Sequence, residues 1–227
     1  MELIFNISSI AEEEKYTNSK KDVLKYLKVI GVDTRFISYT PDKIFINNLR
    51  FSKFSRKRQE TFNRQYPQIE VVRNSLFQKI CSKTSKTLAG LKPNSVVLIP
   101  KDNFILNIIL EPYTRKYGIK LVNSGEYDFK AVPITLDDEV NMIFSTIFRG
   151  ESLKFDKKED EVYPLINVSI GWINSFLEMN DYSQIAPIND DELACSFMEF
   201  LEDVAPQYRE NVLKATHYIE EKNICSD

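Results

Sequence analysis

"SVVLIPKDNFILNIILEPYTRKYG", residues 95–118, passes from one hydrophobic period to another without a break. Residues 95–100 are a short apolar run rich in β-branched side chains, the mark of a strand covered on both faces. From residue 101 the apolar positions recur at helical spacing, which predicts a helix running to Gly118, with Pro112 disturbing or ending its regular part. A buried strand that feeds a helix directly is half of a βαβ unit.

The same alternation extends to both sides. Upstream, "ELIFNISS" (2–9) reads as a buried strand, and "SKKDVLKYLKVIG" (19–31) as an amphipathic helix with Asn18 or Ser19 near its cap and Gly31 past its end. "DTRFISYT" (33–40) alternates like a second strand, "IEVVR" (69–73) is a short strand, and 75–90 is a helix. Downstream, "IKLV" and "FKAVPI" are short strands around the turn "NSGEYD", and helices are expected at 137–149, 165–180, 190–204 and 207–222. Such alternation predicts parallel βαβ units with right-handed crossovers, hence a three-layer α/β sandwich followed by a C-terminal helical extension. The domain expectation is an α/β domain over 1–150, with a basic insertion at about 49–92, and a mainly helical part over 151–227. The charge run "ESLKFDKKEDEVYP" (151–164) is expected to be a solvated linker.

Composition limits the possible functions. The chain has 227 residues, 43% hydrophobic and 28% charged, enough for one large α/β domain. No run of about 18 apolar residues occurs, so a spanning helix is excluded, and the acidic start "MELIFNISSIAEEEK" does not read as a signal peptide. A soluble, cytoplasmic protein is expected. Cys81, Cys195 and Cys225 are an odd set with no C-x-x-C, which supports neither a disulfide framework nor a zinc ribbon. The six glycines are scattered, so neither G-x-G-x-x-G nor a Walker-type loop exists. His217 is the one histidine, and a surface or packing role suits it better than that of a base. No serine sits in a nucleophile elbow and no thiol has an evident histidine partner. No residue is assigned a catalytic role, and no metal ion or cofactor is expected.

Net charge is only −3, but it is polarised: between residues 50 and 92 eleven Lys and Arg stand against two acids, while from residue 150 acids outnumber bases by about three to one. Within "RFSKFSRKRQETFNRQ" (50–65), Lys53, Arg56, Lys57, Arg58 and Arg64 are candidates to hold a phosphate backbone. Phe51, Phe54, Phe62 and Tyr66 interleave with them, either as stacking surfaces for unpaired bases or as the core stripe of a helix. "ITLDDEVNMIFSTIFRG" (134–150) is equally two-sided. Asp137 and Asp138 at a helix start fit the macrodipole and supply caps, and two carboxylates after a strand can also hold magnesium against a nucleotide.

Beyond these readings, "AVPITLDDEVNMIFSTIFRGESLKF" (131–155) resembles the segment of the PP-loop ATPases that thiolate tRNA in which a strand ends in a GHN-like tripeptide followed by LDDE, an apolar helix and an LRGD-like close. Residues 136–140 match the acidic motif and 148–151 the close, whereas the GHN position reads Pro133, Ile134, Thr135. "VYPLINVSIGWINSFLEMNDYSQIAP" and "FMEFLEDVAPQYRENVLKA" are similar to the family's later segments. A second register aligns 94–118 with the strand and helix at the GHN position, which would leave Asp137 and Asp138 as a plain helix start. The family's SGGxDS loop and its paired cysteines have no counterpart, and "IFNISSIAEEEKYTNS" stands where the loop is expected.

The resemblance implies a parallel five-stranded PP-loop-like sheet and a non-catalytic partner subunit in 2-thiolation of the wobble uridine of cytoplasmic tRNAs. Its partners would be tRNA, a catalytic PP-loop thiolase subunit and a ubiquitin-like sulfur carrier, with Asp137 and Asp138 as a nucleotide or metal remnant. An active ATP-dependent tRNA-modifying enzyme, or an α/β interaction scaffold with no RNA role, are the alternatives.

Overall fold

Short apolar strands and amphipathic helices alternate from residue 37 onward in the computed structural model, which describes residues 19–101, 103–153 and 158–224. The strand expected at 2–9 therefore lies outside the described residues. In chain order the elements are α1 (Lys20–Val29), a 3-10 turn (Thr34–Phe36), β1 (Ile37–Tyr39), β2 (Lys43–Ile46), α2 (Leu49–Ser52), α3 (Arg56–Gln65), β3 (Glu70–Val72) and α4 (Ser75–Thr87). There follow β4 (Val96–Leu98), α5 (Phe104–Leu110), α6 (Tyr113–Lys116), β5 (Lys120–Val122), β6 (Phe129–Ala131) and α7 (Leu136–Phe148). The chain continues through β7 (Glu161–Val162), α8 (Ile170–Glu178), α9 (Glu192–Val204) and α10 (Tyr208–Ile224).

Among the described residues the strands form two sheets, of three and four strands. The larger is wholly parallel, with four strands in the order β5-β4-β6-β7; the smaller joins β1 and β2 antiparallel and β2 and β3 parallel. In the larger sheet Val97 pairs with Leu121 on one side and Phe129 on the other, and Ala131 pairs with Val162. That last pairing corrects the linker expectation: residues 161–162 of the charge run are an edge strand, held by the hydrogen bond from Val132 N–H to the Val162 carbonyl. Among the described residues, no helix is long and apolar enough to cross a membrane.

Local chemistry explains the other differences. The expected strand at 33–40 begins as a 3-10 turn because the Asp33 carboxylate accepts the Arg35 N–H at 3.0 Å. The helix expected over 101–118 divides at Pro112 into α5 and α6. The helix expected at 165–180 starts only after Ser169, whose hydroxyl caps Gly171 N–H.

Packing joins the two sheets. Phe45 of β2 meets Phe77 of α4, Phe104 of α5 and Phe176 of α8 at ring separations of 5.6, 6.2 and 5.7 Å. These rings belong to one core that also takes in Val97, Ile99 and Ala131 of the parallel sheet, so α4, α5 and α8 fill the space between the sheets. A second core under α1 and α3 covers the other side of the small sheet, and a third seats α9 and α10 on α7. Glu111, almost fully buried, fastens these layers at one point. It accepts Tyr39 N–H at 3.1 Å and is ion-paired with Arg115 and with Lys20 at 2.8 Å, while Arg115 donates to the carbonyls of Thr34 and Ile37.

Candidate functional sites

In a doubly wound sheet, ligands sit beyond the carboxyl ends of the strands where the strand order reverses. Here β4 has β5 on one side and β6 on the other, so the reversal lies between β4 and β6, where α5 and α7 begin. Asn103 caps α5 by accepting Leu106 N–H at 2.9 Å, and Thr135 caps α7 in a reciprocal capping box with Asp138.

Asp138 is 1% exposed, and both of its carboxylate oxygens are engaged. One accepts Thr135 N–H at 2.9 Å and the Thr135 hydroxyl at 2.6 Å; the other accepts Ile188 N–H at 2.7 Å and Asn189 N–H at 3.3 Å. Asp137 divides its oxygens between Ile170 N–H, at 2.7 Å, and an ion pair with Arg209 at 2.9 Å. Every oxygen of the two carboxylates thus has a protein partner: the cap of α7 takes one Asp138 oxygen, and Ile170, Ile188, Asn189 and Arg209 take the others.

Segment 182–189 spans the same place. Tyr182 stacks on Phe104 at the start of α5 with ring centres 3.7 Å apart. Ile185 exchanges two backbone-to-amide hydrogen bonds with Asn174, and Ile188 and Asn189 reach Asp138 at the start of α7. The chain ties the two helix starts together across the reversal point with its own backbone.

The basic residues lie elsewhere. Lys53, in a left-handed conformation after α2, and Arg56, Lys57 and Arg64 of α3 are exposed. Arg58 is partly buried: its guanidinium donates to the Lys53 carbonyl and lies against Gly31, where a Cβ would meet Arg58 Nη2 at 2.8 Å. Gly31 sits at φ +84°, a conformation that favours glycine, and the Arg58 guanidinium would have to move aside for any side chain there. Phe54, Phe62 and Tyr66 are core residues, but Phe51 is 52% exposed and leans on Phe36 at 5.3 Å.

Two pockets differ sharply in charge. One, of about 320 Å³, lies between the 3-10 turn, α2, α4 and α6; Arg35 and Lys116 line it and no acid does. Cys81 also lines it, and burial pushes this thiol upward, so it stays protonated at neutral pH. The other, of about 490 Å³, lies between α7, α9 and α10, with Asp137, Glu199, Glu202 and Asp203 facing one cation, Arg209. The residues of the first pocket come from four separate segments with no shared motif, and its one signal in the sequence was the set of aromatics interleaved with the basic run, of which Phe51 is the exposed one. Cys195 lines the second pocket, so these two thiols do not share a site, and among the described residues no group of three or more His, Cys, Asp or Glu is placed to hold a metal ion.

No protein-family model matches the chain. A probable sulfurtransferase of Methanocaldococcus jannaschii is 30% identical over 94 residues, which is 38% of this chain and 28% of that protein. The chain therefore matches little more than a quarter of that relative's length. Among solved structures, the U34-tRNA thiolase NcsA from Methanococcus maripaludis, with its 4Fe-4S cluster, is similar with a TM-score of 0.48 and 15% identity, over 69% of this chain and 83% of that one.

Proposed function

We propose that this chain is a non-catalytic partner subunit in 2-thiolation of the wobble uridine of cytoplasmic tRNAs, a counterpart of cytoplasmic tRNA 2-thiolation protein 2. It binds tRNA through Lys53, Arg56, Lys57 and Arg64, and a catalytic PP-loop thiolase subunit supplies the chemistry with sulfur from a ubiquitin-like carrier. The observation that carries the non-catalytic part is the closure of the reversal point: Asp137 and Asp138 spend all their oxygens on the protein, and segment 182–189 bridges both helix starts.

Strand order adds support. The strand flanked by its successor on one side and a later strand on the other is the first of a doubly wound unit, and the turn after it is where phosphate would bind. Among the described strands that is β4, which moves the expected phosphate turn from "IFNISSIAEEEKYTNS" to residues 99–103, and these contain no glycine to bring backbone amides close to a pyrophosphate. β6, α7, β7 and then Tyr163, Pro164 and Leu165 also follow the order of the first register of the resemblance. The partial similarity to a probable sulfurtransferase agrees with a role in sulfur transfer.

The test is mass spectrometry of digested tRNA from cells depleted of the protein, with ATP binding by the purified chain measured beside it. We expect 2-thiolated wobble uridine to disappear while other modifications persist, and the isolated chain to bind no ATP. Unchanged 2-thiouridine would overturn the proposal. Loss of 2-thiouridine together with ATP binding that Asp138→Asn abolishes would make the chain the enzyme itself.

A further inference from the structure

Phe51 has no account in the core: its three aromatic neighbours in the basic segment are buried, and it is half exposed at the mouth of the acid-free pocket. We propose that this pocket receives a single unstacked base of single-stranded RNA, an inference that rests on the tRNA-binding role proposed above. Bases without a paired partner are held by aromatic faces, by polar groups at their edges and by cations on the adjoining phosphates. Each of these stands here. Phe51 and Phe36 present an aromatic pair, with the Arg50 guanidinium 5.8 Å from the Phe51 ring centre. Asn47 is held at one end of its amide by Ser38 at 3.0 Å, which leaves the other end for a base edge, and Ser82 and Ser85, the latter donating its hydroxyl to the Ser82 carbonyl, line the same wall. The volume, about 320 Å³, lies within the range of small-ligand sites.

The phosphate has a place as well. Arg35 also lines a neighbouring depression of about 400 Å³, together with Lys28, Lys53 and Arg115 and a single acid, Asp33. Arg35 is held by Asp33 and Arg115 by Glu111, so a base in the first pocket leaves its phosphate beside Lys28 and Lys53, with the two paired guanidiniums at the edge. The acidic pocket between α7, α9 and α10 repels the same ligand, so the polarity of the molecule orients the strand as well as attracting it.

The test uses a short single-stranded RNA carrying one 2-aminopurine, whose fluorescence reports loss of stacking on neighbouring bases, titrated at fixed salt into the wild-type chain, Phe51→Ala, Phe51→Trp and Ser85→Phe. Ser85 is exposed on α4, so phenylalanine there fills the pocket without entering the core. We expect Phe51→Ala to weaken binding about fivefold to a hundredfold with the salt slope unchanged, Phe51→Trp to preserve it, and Ser85→Phe to abolish the fluorescence change. A duplex of equal charge should bind the wild type and Phe51→Ala alike. If wild-type binding occurs but Phe51→Ala and Ser85→Phe match it in affinity and fluorescence, the pocket inference is overturned and the RNA role stands. If the wild-type chain binds neither tRNA nor the oligonucleotide, both are overturned.

Discussion

A carboxylate at a helix start can serve the helix or a ligand, and at Asp138 the partners decide which. Removing it with Asp138→Ala uncovers the N–H groups of Thr135, Ile188 and Asn189 and ends the capping box. We expect a loss of about 3 to 5 kcal/mol by urea denaturation, from one lost cap and several unsatisfied donors. Glu111 has a pH signature. Burial would raise its carboxyl, but Arg115 and Lys20 outweigh that and hold it below the usual carboxylate range. A lowered folded value means that this stabilisation is present above the ordinary carboxylate range and is lost as pH falls through the folded value. Glu111→Gln should therefore destabilise the protein by about 3 kcal/mol at neutral pH, and the gap from wild type should narrow below about pH 4 in denaturation curves taken as a function of pH. Both roles of the Asp137-Asp138 pair could be stated from sequence, but Ile188, Asn189, Ile170 and Arg209 reach these residues from 33 to 72 positions away, and no local pattern announces such contacts.

Elements with a long amphipathic period were the legible ones. α1, α4, α7, α9 and α10 lie close to where their spacing and caps put them, since a helix writes its period and its ends locally. β7 was hidden because an edge strand of two residues needs only one apolar contact and can sit inside a charge run, as Val162 does in "EDEVYP". The basic segment shows a mixture: charge and aromatics were visible, but not which of them the fold uses. α3 exposes Arg56 and Lys57, while Arg58 is drawn against Gly31. The double variant Arg56→Ala, Lys57→Ala should leave thermal stability unchanged and lower the slope of log affinity against log salt for tRNA by about one to two. Adding Arg58→Ala should cost about 1 kcal/mol of stability as well, through its lost contacts with Gly31 and the Lys53 carbonyl. An unchanged salt slope in the double variant would remove α3 from the RNA surface.

For the whole molecule, charge and packing are organised on different axes. α3 belongs to the part built on the small sheet, the basic pocket to the seam where α4 and α6 meet that part, and the acidic pocket to the helices seated on α7, whereas the aromatic core around Phe45 binds the two sheets into one body. Phe45→Ala should therefore cost about 3 to 5 kcal/mol and lower the melting temperature by about 6 to 20 °C in a single transition seen by both near- and far-ultraviolet dichroism. Two separate transitions would show that the sheets unfold independently. The joining of two sheets was not legible in the sequence, because a ring such as Phe45 reads as apolar whichever layer it meets. Segment 182–189 bears on mutability as well as architecture. Because Tyr182 and Asp138 support α5 and α7, glycines placed in residues 99–103 would leave the crevice bridged, and opening the bridge would remove caps on which folding depends. The two changes are coupled, and no single substitution opens the crevice while keeping both helix starts supported.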